Sequence, residues 1–174
     1  IMTPEQTNHL ENIQKAAQNL NGIIRKTDLI FSEFFSKETG NRIYIKPENL
    51  QRTGSFKIRG AYNRIANLTE EERAKGIIAS SAGNHAQGVA LAASTMGIQA
   101  TIVMPLVTPL IKVDSTKSYG ADVVLYGNIY DEAYGKAVDF QTYRRPSRLC
   151  WIRRYAIGTT YRKSAHESLF RYFV

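Results

Sequence analysis

The sequence predicts an α/β fold, a parallel sheet with helices on its faces. Three observations carry the prediction. Short apolar runs at 77–80, 100–104 and 122–125 alternate with longer stretches of helical periodicity. Gly76, Gly97, Pro105 and Gly120 punctuate the junctions between them. The helical stretches open on capping chemistry, as in Thr3-Pro4-Glu5-Gln6, Thr69-Glu70-Glu71-Glu72 and Thr108-Pro109. Strands and helices that alternate at short intervals form parallel sheets joined by right-handed crossovers.

Taken in order, the first helix starts at Thr3-Pro4 and carries Leu10, Ile13, Ala17 and Leu20 on one face, with Gly22 as its stop. His9 reads as a surface residue. Residues 23–32 read as loop and entry strand. Phe31, Phe34 and Phe35 lead a short helix that ends at Gly40, and are expected in the core. Ile43-Tyr44-Ile45-Lys46 is a strand that Pro47 stops. A helix follows from about Asn84 to Met96. Thr108 is expected to cap the helix that Pro109 begins and Gly120 ends. Asn128 is expected to begin the helix that carries Ala133, Ala137, Val138 and Phe140.

The chain has 174 residues, of which 43% are hydrophobic and 22% charged, an ordinary globular balance. No apolar run approaches the ~20 residues of a membrane span, and no basic-then-apolar leader opens the chain. Cys150 is the sole cysteine, so no intrachain disulfide can form. A soluble, cytoplasmic protein is the expectation, and no metal set is read. The net charge of +8 is unevenly spread. Residues 141–174 hold eight basic residues and one acid, Glu167, whereas residues 1–140 hold 15 basic and 14 acidic groups.

The stretch Pro47–Ala61 opens as a polar loop and closes on a helical pattern, with Ile58, Ala61, Tyr62, Ile65 and Leu68 at helix spacing. Lys57 therefore stands at a helix start, with Ser55 as the expected N-cap. The positive end of the helix dipole disfavours an ammonium there and favours the neutral amine that attacks a carbonyl. A lone lysine would be read as a solvated surface residue. A second stretch, Ser80-Ser81-Ala82-Gly83-Asn84-His85-Ala86-Gln87-Gly88, changes that reading. It falls between a strand and the next helix, at the carboxyl end of the sheet, where ligands collect and helix amides bind anions. Taken by itself, this stretch would read as a plain capping turn.

Together, Ser55-Phe56-Lys57-Ile58-Arg59-Gly60-Ala61 and Ser81-Ala82-Gly83-Asn84-His85-Ala86-Gln87-Gly88 resemble the two signatures of the serine/threonine dehydratases. These are pyridoxal-phosphate (PLP) enzymes of fold type II. The resemblance covers about residues 1–140. It implies that Lys57 holds PLP as a Schiff base and then acts as the base at the substrate Cα. It implies that Phe56 packs on the pyridine ring and that Asn84 bonds the ring hydroxyl. It places the substrate carboxylate in the turn of Ser81, Ala82, Gly83, Asn84 and His85, with the Ser81 hydroxyl and backbone amides as donors and His85 as support. The implied activity is dehydration and deamination of L-threonine or L-serine to 2-oxobutanoate or pyruvate and ammonia, in threonine catabolism or isoleucine biosynthesis. A homo-oligomer with an amino-acid substrate and no membrane partner is implied.

Two parts of the family pattern are missing. After residue 140 the only glycine is Gly158, so no glycine-rich loop can cup the PLP phosphate. Nothing matches the hydroxyl or thiol that faces the pyridine nitrogen, and Cys150 is left unassigned. From Gln141 arginine and aromatics dominate, with Tyr143, Trp151, Tyr155, Tyr161, Phe170, Tyr172 and Phe173, and no family-like strand is read. Such interleaving suits single-stranded nucleic acid, but no fold presents it, and the break reads instead as a shift of frame or a misjoined gene. The expected division is residues 1–69 as the first part of a large PLP-bearing domain, 70–140 as a small α/β domain, and 141–174 as an atypical basic tail. The chain alone is expected to be inactive. The alternatives are a serine racemase-type PLP enzyme, disfavoured because Ala82 stands where that group carries a serine, and a non-catalytic fragment or binding module.

Overall fold

The structure, a computed structural model, describes residues 4–143 and 150–151. Helix α1 spans Pro4–Asn19, and the left-handed Gly22 (φ 74°) turns the chain after it. Strand β1 (Ile30–Phe31) pairs antiparallel with β2 (Tyr44–Ile45) around helix α2 (Glu33–Thr39). A 3-10 turn at Glu48–Leu50 leads to helix α3 (Lys57–Ala66) and then α4 (Glu70–Ala74). Thr69 and Glu72 close a reciprocal capping box on α4, as the sequence predicts.

The α/β unit follows as β3 (Ile77–Ser80), α5 (Asn84–Thr95), β4 (Ala100–Met104), α6 (Leu110–Ser118), β5 (Asp122–Leu125), α7 (Tyr130–Tyr143) and β6 (Cys150–Trp151). The four strands are parallel in the order β5-β4-β3-β6. Both faces of the inner strands are covered, and every residue of β3 and β4 is buried. That is why these strands read as apolar runs without alternation. Ile77, Ala79, Ala100, Ile102 and Met104 join the core under α3 and α5, while Ile78 and Val103 meet Ala133 and Ala137 of α7.

Helix α5 is buried almost all round, from His85 to Ala90 and again at Ala92 and Ala93. Small side chains let it lie between the sheet and α3. The tightest point is Gly88. A Cβ placed there would stand 3.0 Å from the Ile58 nitrogen and the Lys57 carbonyl carbon, and 3.2 Å from the Lys57 oxygen. Backbone meets backbone, so a side chain there would make the neighbouring helix give way.

Several expectations are corrected. Phe31, Phe34 and Phe35 are 50%, 68% and 48% exposed rather than in the core, because α2 buries no residue among those described. His9 is partly buried, so it is not a simple surface residue. Pro109, not Thr108, occupies the capping position of α6, with its ψ of 133° holding the chain extended before Leu110. Helix α7 begins at Tyr130, two residues after Asn128, whose amide instead donates to the Glu132 carboxylate at 2.6 Å. The segment after Gln141 does supply a strand: β6 runs parallel to β3 in register Ile77↔Cys150 and Ile78↔Trp151. Two residues are too few for a pattern to show amid arginines. The remaining basic and aromatic residues of 144–174 lie outside the described residues. Among the described residues, no helix is long and apolar enough to cross a membrane.

The close approach at Gly88 makes a stability prediction. Gly88→Ala gains about 1 kcal/mol of helix propensity, but overpacking against fixed backbone costs about 1–3 kcal/mol. A net loss of roughly 1 kcal/mol is expected from urea midpoints. Gly135→Ala, inside α7 where a Cβ meets nothing within 4 Å, serves as the control and should keep the helix-propensity gain of about 1 kcal/mol. A Gly88→Ala midpoint equal to that of the control would contradict the close approach.

Candidate active site

The loop that carries Lys57 is held by side chains acting in place of a sheet. Gln51 is buried, and its Oε1 accepts from the amides of Arg25 (2.7 Å) and Arg52 (3.1 Å) while its Nε2 donates to the Arg25 carbonyl (2.8 Å). Gly54 supplies the one left-handed turn of the loop, at φ 67°. Helix α3 then starts one residue later than expected. Phe56 occupies the capping position, and the Ser55 hydroxyl accepts from the Lys57 amide at 3.4 Å.

Across the loop, Glu48 and Arg59 close a clasp. Arg59 donates from Nε to Glu48 Oε2 at 2.9 Å and from Nη2 to Oε1 at 2.7 Å. The Thr27 hydroxyl donates to Oε1 at 2.6 Å, and Lys46 Nζ donates to the Thr27 carbonyl at 2.7 Å. The two charged side chains are only 13% and 14% exposed. Burial pushes the Glu48 carboxyl up, but the bonds from Arg59 and Thr27 and the charges of Arg59 and Lys46 outweigh it. The carboxyl titrates below its ordinary range.

Lys57 is the first residue of α3, and no acidic residue stands in that first turn. The Lys57 Nζ stands 4.3 Å from the centre of the Phe56 ring, which is 53% exposed.

The second stretch lies at the carboxyl end of β3. There the strand order reverses: β3 is followed in the chain by β4 on one side, and β6 returns to its other side. Such a switch point opens the crevice where α/β sheets bind ligands. The Ser81 amide donates to the Val103 carbonyl at 3.2 Å, so that amide is committed to the sheet. The Ser81 hydroxyl accepts from the Gly83 amide at 3.4 Å and keeps its own hydrogen to donate. Gly83 is the capping residue, and Asn84 and His85 form the first turn of α5. His85 is buried and Asn84 exposed.

Gly88 joins the two stretches. It lies against the Lys57 carbonyl, and Asn84 lies one turn back on the same face of α5. The backbone of Lys57 and the helix that begins at the Ser81–His85 turn are thus held together where α3 and α5 touch. Two further contacts escaped the sequence reading. Lys112 Nζ on α6 donates to Asn84 Oδ1 at 2.9 Å, and the Tyr119 hydroxyl donates to the Arg52 carbonyl at 3.0 Å. Neither has a local sequence signal, since each depends on α6 lying beside α5. The spacing of Glu48 and Arg59 across a turn-rich loop was the one signal available for the clasp.

Fold and site define a class: a parallel α/β unit with a lysine at the start of one helix, and the turn into the neighbouring helix at the switch point of the sheet. A family model described as "Pyridoxal-phosphate dependent enzyme" matches residues 20–156, past the composition break at Gln141. The chain belongs to that family. It is 58% identical over 132 residues to the L-threonine ammonia-lyase of Thermotoga maritima, covering 76% of this chain and 33% of that protein. Its fold is similar to the processed form of threonine deaminase isoform 2 from Solanum lycopersicum, with a TM-score of 0.74 and 41% identity over 84% of this chain and 42% of that one. It is also similar to maize serine racemase, with a TM-score of 0.74 and 32% identity over 82% and 42% of the two chains. The chain spans about a third of the length of the curated relatives it matches.

The clasp makes a pH prediction. A carboxyl lowered by folding contributes stability that is fully present above its unfolded value of 4.5. That stability is lost as pH falls through the lowered folded value. Stability should therefore drop below pH 4.5, and Glu48→Gln should remove that part of the drop. Glu48→Gln should also cost about 3 kcal/mol at neutral pH by leaving Arg59 half-buried without its charge. Parallel urea titrations at neutral and acid pH measure both. An identical pH slope in the variant would contradict the clasp.

Proposed function

We propose that this chain carries the cofactor lysine and the carboxylate turn of an enzyme that dehydrates and deaminates L-threonine or L-serine. The products are 2-oxobutanoate or pyruvate, with ammonia and no net redox change. The observation that carries the proposal is the contact of the Lys57 backbone with Gly88, one turn along α5 from Asn84.

The residues present fit pyridoxal phosphate at its aldehyde and ring. An amine stands at a helix start. An exposed aromatic ring lies beside it. An amide side chain waits at the start of the next helix. Among the described residues no glycine-rich loop follows to cup the phosphate. When bound, pyridoxal phosphate accepts the electron pair left on the substrate Cα.

The chain's own residues do the rest. The Ser81 hydroxyl and the first amides of α5 hold the substrate carboxylate, as helix starts hold anions. Lys57 Nζ carries the cofactor and afterwards takes the proton from Cα. Phe56 shields one side of that amine from water. Asn84 donates to the ring oxygen. His85, buried in the first turn, supports the turn from behind.

A racemase is the second reading, favoured by the likeness to maize serine racemase. Racemisation needs a second acid–base group on the face of Cα opposite Lys57. Ala82 offers no such group, so elimination is preferred. We further propose residues 1–69 as part of a large domain and 70–140 as a small one, in a cytoplasmic homo-oligomer. The exposed Phe31, Phe34 and Phe35 then await further chain of the large domain.

The test is a chimera in which residues 20–140 replace the matching segment of the Thermotoga maritima relative. It should release 2-oxobutanoate from L-threonine and pyruvate from L-serine, with little D-serine. Lys57→Ala should lower turnover by at least about 10²–10⁴-fold. Ala82→Ser should introduce D-serine, read by chiral chromatography. D-serine forming as fast as pyruvate with Ala82 in place would overturn the choice of lyase, and unchanged turnover in Lys57→Ala would overturn the assignment of the lysine.

A further inference from the structure

Lys112 lies outside both signature stretches, yet its ammonium donates to Asn84 Oδ1 at 2.9 Å. Its place is set by its neighbours. The Lys112 amide donates to the Pro109 carbonyl at 2.8 Å and its carbonyl accepts from the buried Thr116 hydroxyl at 2.8 Å. Val113, the next residue, is buried in the core under α5. Among the described residues no carboxylate lies within ion-pair distance of Lys112. Its side-chain hydrogen bond thus goes to a neutral amide.

We infer that Lys112 is a positioning residue that fixes which end of the Asn84 amide faces the cofactor. The inference rests on the cofactor reading proposed above. An ammonium has hydrogens to give and no lone pair to receive, so the amide must turn its oxygen toward it. The nitrogen, with both hydrogens, is then left for the other side, where an acceptor such as the ring oxygen of pyridoxal phosphate would meet a donor. Without Lys112 the amide turns freely, and half of its orientations present oxygen to oxygen. The ammonium also polarises the amide and strengthens the bond its nitrogen gives.

The test uses the 174-residue chain with added pyridoxal phosphate, reduced with borohydride, and reads the modified lysine by peptide mass spectrometry. Label is expected at Lys57 in excess of other lysines. Lys112→Met should raise the half-saturating concentration roughly tenfold, the equivalent of one hydrogen bond to a charged group. Lys112→Arg, which keeps a donor, should restore most of the affinity. In an Asn84→Ala background Lys112→Met should change nothing further, because the lysine acts through the amide. Circular dichroism of each variant checks that the fold is kept, and Lys112→Gln repeats the measurement should Lys112→Met aggregate. An equal rise in both backgrounds, or no rise in either, overturns the positioning role while leaving Lys57 labelled. Label on Lys112 in place of Lys57 overturns it as well. No selective label at Lys57 of the unaltered chain overturns the cofactor reading itself, and this inference with it.

Discussion

The contact between α3 and α5 at Gly88 governs the rest of the structure. Two helix backbones meet there with no side chain between them, the Lys57–Ile58 peptide on one side and Gly88 on the other. Helix α5 is tied to the sheet through its alanines, and β3 delivers Ser81 to its start. Anything that sets the distance between α3 and α5 therefore also sets the distance from the Lys57 backbone to the Ser81–His85 turn. A methyl group of extra width would be transmitted directly, because close-packed interiors yield little.

Two devices then divide the work. The crossing fixes where α3 lies, and the Glu48–Arg59 clasp fixes the loop that leads into it. The loop needs such a device because it makes no sheet ladder. Gln51 and Thr27 stand in for missing backbone partners, as buried polar groups in irregular segments must. A lysine that takes and returns a proton is effective only when its amine is held within a fraction of an ångström. Rigid elements on both sides of the loop achieve that without burying the amine itself.

Much of this was legible in the sequence, and the reasons are physical. The strands β3 and β4 are covered on both faces, so their apolar runs stand out, and glycines such as Gly97 mark their ends. The candidate site could be proposed from the sequence because its residues fall in two contiguous stretches, each at a helix start with its own local chemistry. What could not be read depends on distant segments meeting. Lys112 reaches Asn84 only because α6 packs beside α5, and Gly88 matters only because α3 crosses there. Phe31, Phe34 and Phe35 were misplaced in the core because apolar periodicity reports an apolar face without saying whether anything covers it. Strand β6 was missed because two residues carry no period, and its partner β3 lies far back in the chain.

The most direct test of the account is a crystal structure of the chain grown with pyridoxal phosphate. The account predicts density continuous with Lys57 Nζ, a ring beside Phe56 with its hydroxyl toward Asn84, and Gly88 still in contact with the Lys57–Ile58 peptide. A cofactor bound elsewhere, or helices α3 and α5 drawn apart with Lys57 turned from the Ser81–His85 turn, would contradict it.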